Sequence, residues 1–172
     1  MEQRSSVVLV SVGLALGGVL GLAGTFAPTS SLRGLAWGID GLALVMATCM
    51  LAIMEFRQGR DMIAAGFLVF AIGQGLVVSG SAMDLDASAP GFGAGCGLWS
   101  VGLALVSVPR RFHLVVRLLG LIAAGLMAAT AVMIFSRADL NPVSSPLPFF
   151  AYPFLVATLF GWIWSINARR VG

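Results

Sequence analysis

Six stretches of the chain are apolar on every side. They are Val7–Phe26, Leu35–Met54, Met62–Ser81, Phe92–Val108, Leu114–Phe135 and Pro148–Ile166. A bilayer core about 30 Å thick is crossed by about 20 apolar residues in a helix, and each stretch meets or approaches that length. The fourth is short as bounded and must borrow residues at one end. Barrel strands would alternate apolar and polar residues over about ten positions, whereas these runs are continuous and twice as long. A helix also satisfies its own backbone hydrogen bonds, which lipid cannot do. The pattern therefore predicts an all-α integral membrane protein, a bundle of six transmembrane helices forming one domain over residues 1–172. The first run exceeds the 7–15 apolar residues of a secretory signal. Its small-residue exit at Thr25-Phe26-Ala27 is followed by Pro28, so it reads as a retained span.

Composition agrees. Of the 172 residues 59% are hydrophobic and 10% charged, against about 45–50% and about 25% in soluble domains. Mean hydropathy is +0.99. So few charges cannot cover a water-soluble globule, and so much apolar surface cannot stay solvated in a disordered chain. The net charge of +3 comes from ten basic residues, all arginine. They sit at the ends of apolar runs, so topology accounts for them and nucleic acid is not an expected partner.

With six spans, one side of the membrane holds Arg4, Arg57, Arg60, Arg110, Arg111, Arg117, Arg169 and Arg170, and the other holds Arg33 and Arg137. Positive charge is retained on the cytoplasmic side, which puts both termini in the cytoplasm. Trp37, Phe149, Phe150 and Tyr152 then lie near the outer boundary, and Trp162 and Trp164 near the inner one. The lysine-free composition, rich in Gly, Ala, Val and Leu, points to a GC-rich bacterial genome and so to the bacterial cytoplasmic (inner) membrane. Cys49 and Cys96 fall in opposite leaflets, too far apart for a disulfide. VGLAL occurs at Val12–Leu16 and again at Val101–Leu105, but GLALV occurs at Gly41–Val45 and Gly102–Val106 in spans that would not correspond. An inverted repeat is thus weakly signalled.

Glycine spacing is the strongest pattern. Gly13, Gly17 and Gly21 fall four apart in the first span, Gly34 and Gly38 precede the core of the second, and Gly91, Gly93, Gly95 and Gly97 open the fourth. Small residues four apart let helix backbones approach closely. They predict packing inside the bundle or a face for a membrane-protein partner or second copy. No strand or acidic ribose partner makes the Gly91–Gly97 run a phosphate loop.

Asp40 is the acidic residue inside a predicted span, about 7–8 Å below the outer boundary. Ionised groups at such depth cost several kcal/mol unless paired or hydrated. Gln74 lies about 10 Å below the same boundary, with Trp99 at similar depth and Tyr152 slightly shallower. Shared depth suggests an outward-opening pocket for a substrate or proton built from Asp40, Gln74, Trp99 and Tyr152, with Asp40 and Gln74 hydrogen-bonded directly or through water. Equal depth leaves azimuth open, and macrodipole, Trp37 or outside water would also stabilise Asp40.

Other candidate chemistry is sparse. Met46, Met50 and Met54, beside Cys49, would suit Cu(I), but an apolar packing stripe explains them. No metal or other cofactor is expected. His113, among arginines at the mouth of the fifth span, reads as solvated, and Arg110, Arg111 and Arg117 read as contacts for anionic lipid headgroups. Asp84 and Asp86 lack the remaining ligands of a calcium loop and read as a charged outer connector. Hydrolase and haem motifs are missing from the sequence, so no catalytic residue is assigned. The leading reading is a non-catalytic accessory, assembly or partner-binding component in the lipid bilayer, the second a small transporter or channel centred on Asp40 and Gln74, and a membrane enzyme comes third.

Overall fold

The structure, a computed structural model, describes residues 2–136 and 139–168, with side chains from residue 5 onward. Arg137, Arg169 and Arg170 of the arginine tally lie outside the described residues, as does the side chain of Arg4. The helices are α1 (Glu2–Thr25), α2 (Ser30–Phe56), α3 (Asp61–Ser79), α4 (Leu85–Ser107), α5 (Leu114–Phe135) and α6 (Tyr152–Ala168), the last entered through a 3-10 turn at Phe149–Ala151. Six segments are long and apolar enough to cross a membrane, and no strand occurs among the described residues. The chain is a multi-pass membrane protein built as a helical bundle.

Helix ends depart from the apolar boundaries where polar residues favour a helix start. α2 begins five residues before Leu35, because Thr29 caps it by accepting a hydrogen bond from the Leu32 amide at 3.3 Å. α4 begins seven residues before Phe92 and takes in Asp86 and Pro90. A carboxylate in the first turn complements the positive end of the helix dipole, and Asp86 also accepts from Asn141 Nδ2 at 3.1 Å. Part of the expected Asp84–Asp86 connector is thus helix. α2 ends in a turn where Gly59 takes φ +67°, the left-handed conformation that glycine adopts without strain.

Each helix packs against its neighbours in the chain, and α6 closes against α1. The result is a ring of six alternately directed helices. Its tightest backbone approaches are between α3 and α4. A β-carbon on Gly66 would stand 2.9 Å from the Gly102 carbonyl oxygen, and one on Gly102 would stand 2.7 Å from that of Gly66. Two turns away the same happens between Gly73 and Gly95, at 3.0 and 2.9 Å. Both pairs recur every seven residues on antiparallel helices, so one crossing line meets glycine on both sides. Such closeness brings in dispersion and Cα–H···O contacts where lipid supplies no hydrophobic drive.

One half of the ring interior is filled by rings. Trp162 of α6 makes edge contacts with Phe67 at 4.9 Å and Phe70 at 6.1 Å, Phe112 tilts against it at 6.3 Å, and Phe70 stacks on Trp99 at 5.8 Å. Aromatic pairs at such separations add to the burial itself. This plug occupies the half nearer the α2–α3 and α4–α5 connectors.

Below it, Glu55 in the last turn of α2 is 2% exposed. It accepts from Arg111 Nε at 3.1 and 3.2 Å and from Arg111 Nη2 at 3.0 Å, and it is also paired with Arg60. Asp40 is therefore not alone as an acidic residue within a span. The apolar run ends at Met54, but α2 continues to Phe56 and carries Glu55 inward.

Candidate functional site: a cavity in one half of the ring

The half of the interior away from the plug is hollow. A cavity of about 60 Å³ is bounded by α1, α2, α3, α4 and α6 and reaches Gly80 and Ser81 after α3 and Pro142 before α6. Small residues create the space. Gly17, Gly18 and Gly21 of α1 line it without side chains, and Leu44, Phe92, Leu155 and Leu159 give it an apolar wall.

Asp40, Gln74, Trp99 and Tyr152 all line this cavity. Residue spacing sets the azimuth of each. Asp40 shares the inward stripe of α2 with Leu44, Thr48, Leu51 and Glu55, which are three or four residues apart. Gln74 follows Phe67, Phe70 and Ala71 on the buried stripe of α3, and Trp99 follows Phe92 and Cys96 on that of α4.

Three of the cavity's polar side chains are already engaged. Tyr152 donates to the Pro142 carbonyl at 2.5 Å, and Trp37 Nε1 donates to the Gly21 carbonyl at 3.1 Å. Ser88 is likewise turned back, donating to the Leu85 carbonyl at 2.7 Å. Three buried atoms at the cavity are not engaged. Asp40 Oδ1, Gln74 Oε1 and Trp99 Nε1 are buried without a hydrogen-bond partner, and their residues are 8%, 1% and 4% exposed. Of the two arrangements expected for Asp40 and Gln74, hydrogen-bonded directly or through water, the direct bond is not formed, and both side chains line a common space. Tyr152 is held by the α5–α6 connector and does not join them.

The charge of the site is one-sided. Among the described residues, no arginine or histidine lines the cavity. Arg33, on the same end of the bundle, donates to the Ala27 carbonyl at 3.4 Å and lies 5.9 Å from the Trp37 ring.

The α1 glycines meet α2. A β-carbon on Gly13 would stand 2.9 Å from both the Ala43 oxygen and Ala47 Cβ, one on Gly17 would run into the Leu44 side chain, and one on Gly21 would stand 3.0 Å from Asp40 Oδ2. Met50 and Met54 pack against the core and Met46 faces outward, an apolar stripe. Cys49 and the buried Cys96 are both free.

The assignment of arginines to lipid headgroups needs correction for two of three. Arg111 is turned in upon Glu55, with its side chain 9% exposed, because a buried carboxylate recruits the nearest guanidinium fork. Arg117 donates to the carbonyls of Ser107 and Val108, both at 2.8 Å, which satisfies oxygens left open at the end of α4. Arg110 is exposed. Glu55 itself escapes a reading by run length. The signal that finds it is helical spacing, since it continues the Leu44–Thr48–Leu51 stripe.

Compared with protein-family models, with curated proteins and with solved structures, the chain matches none of them.

Proposed function

We propose that the protein is a small-solute carrier of the bacterial cytoplasmic membrane, with both termini in the cytoplasm and the Asp40 cavity facing outward. The observation that carries this reading is the convergence of three unpartnered buried polar atoms, from α2, α3 and α4, on one cavity. Each such atom costs about 1–3 kcal/mol. Three in a single site call for partners, and water or a small polar solute in the cavity would supply them.

The aromatic plug bears on the kind of transport. Phe67, Phe70, Phe112 and Trp162 fill the ring beneath the cavity, so a continuous pore is not what the arrangement favours. A solute held at Asp40 would pass inward only if the plug repacked, the behaviour of a carrier with alternating access. The sparser seams on either side of α6 are where such repacking would cost least. Orientation rests on the arginine asymmetry. An accessory, partner-binding role would draw on an outward glycine face, but Gly13, Gly17 and Gly21 are engaged with α2.

Purification in mild detergent followed by intrinsic tryptophan fluorescence tests the reading, because Trp37 and Trp99 line the cavity. A carrier shows a saturable response to a small solute that Asp40→Asn weakens. A stoichiometric protein partner in the preparation, with no response to any small solute, would favour the accessory role instead.

A further inference from the structure

We infer that the solute recognised at Asp40 is a small organic monocation bearing N–H donors, such as a guanidinium or a short alkylammonium. The inference rests on the carrier reading and names its substrate class.

Charge comes first. The cavity holds one carboxylate, and among the described residues no arginine or histidine opposes it. An anion entering there would find no donor cluster to receive it. A neutral solute gives the carboxylate no counter-charge, so in a mostly apolar enclosure Asp40 would hold a proton instead, whereas a monocation stabilises it as the carboxylate.

Hydrogen bonding points the same way. The unengaged atoms include two acceptors, Asp40 Oδ1 and Gln74 Oε1, on adjacent helices. A ligand with several N–H groups can donate to both at once. Trp99 Nε1 is a buried donor left without a partner, and a water admitted with the ligand can accept from it. A bare metal cation is a poor fit, since hard cations take six or more oxygen ligands and the surrounding wall is Leu44, Phe92, Leu155 and Leu159. An organic cation tolerates that wall, which includes the aromatic side chains of Phe92 and Trp99.

Size sets the upper limit. A cavity of about 60 Å³ compares with 10–15 Å³ for one water and about 150 Å³ for a site that admits benzene. Space on that scale fits about four non-hydrogen atoms, the size of guanidinium.

Guanidinium and urea make a decisive pair of probes, being nearly the same shape and differing in charge. The full chain in mild detergent is titrated with guanidinium chloride, urea and sodium chloride in the low millimolar range, and tryptophan fluorescence is followed. Ethylammonium chloride serves as a second cation. The expected result is a saturable response to guanidinium, at least tenfold weaker for urea and absent for sodium chloride. Asp40→Asn, with an unchanged size-exclusion profile, should weaken guanidinium at least tenfold while leaving any urea response in place. Urea acting as well as guanidinium, or a guanidinium response indifferent to Asp40→Asn, would overturn the cation assignment and leave the carrier reading standing. Silence of guanidinium, ethylammonium and urea alike would overturn both.

Discussion

Glu55 and Arg111 are fifty-six positions apart in the chain, yet the carboxylate accepts hydrogen bonds from both Nε and Nη2 of the guanidinium at 3.0–3.2 Å. The contact ties the end of α2 to the α4–α5 connector across the base of the aromatic plug. Removing one member of a buried pair strands the other charge, at a cost of about 3–5 kcal/mol. Glu55→Ala should therefore lower unfolding stability in detergent by about that amount. Arg111→Lys should recover only part of the native value, because an ammonium cannot reproduce the two-pronged contact. The double variant Glu55→Leu with Arg111→Met should cost less than the two single changes summed. Additive losses would mean that the pair is not coupled.

The facing glycines of α3 and α4 give a sharper test of packing. Gly66→Ala and Gly102→Ala each place a methyl within 3 Å of the opposing carbonyl, and overpacking of this kind costs about 1–3 kcal/mol. Gly75 on α3 has nothing within 4 Å of where a β-carbon would stand. Gly75→Ala should leave thermal stability unchanged or slightly raised. Equal effects at Gly66 and Gly75 would contradict the close crossing. On α1, Gly17→Leu should destabilise by a few kcal/mol, because the side chain meets Leu44 and intrudes on the cavity.

Unpartnered polar atoms make the cavity a place where binding and stability trade against each other. Asp40→Asn removes the ionisable group without changing side-chain volume, and because the amide is as unpartnered as the carboxyl it should change stability of the empty protein by no more than about 1 kcal/mol. Trp99→Phe keeps a ring against Phe70 and deletes the idle N–H. Its cost should stay within about 1 kcal/mol, with guanidinium affinity little changed. A large stability loss from Asp40→Asn would show the carboxylate to be structural, and the carrier reading would lose its central residue.

Topology can be checked with single cysteines introduced at Met83, exposed after α3, and at Arg57, exposed after α2. With both termini cytoplasmic, a membrane-impermeant thiol reagent applied outside intact cells should label Met83→Cys and spare Arg57→Cys. The reverse pattern would turn the cavity to the cytoplasm.

The number of helices and their approximate ends were legible in the residue order, because each follows from a local requirement. A run must span the bilayer core, and each helix must satisfy its own backbone. Leu114–Phe135 was legible to the residue, since connectors bound it sharply at both ends. α4 was legible only in part, because the acidic start that extends it to Leu85 looks like a connector when judged by hydropathy. The depth of Asp40, Gln74, Trp99 and Tyr152 could also be counted along the chain, and the four residues it singled out all line one cavity.

What the residue order left undecided is azimuth. In water, an amphipathic stripe tells which side of a helix faces inward. In lipid, the inside and the outside of a helix are both apolar, and that asymmetry disappears. Close packing settled it instead. The α3–α4 crossing is set where Gly66 meets Gly102 and Gly73 meets Gly95, and the stripes that follow turn Asp40, Gln74 and Trp99 into one space. The same packing carried Glu55 inward to Arg111 and engaged Tyr152 with Pro142. The first is an encounter between distant parts of the chain, and only the closed ring brings it about.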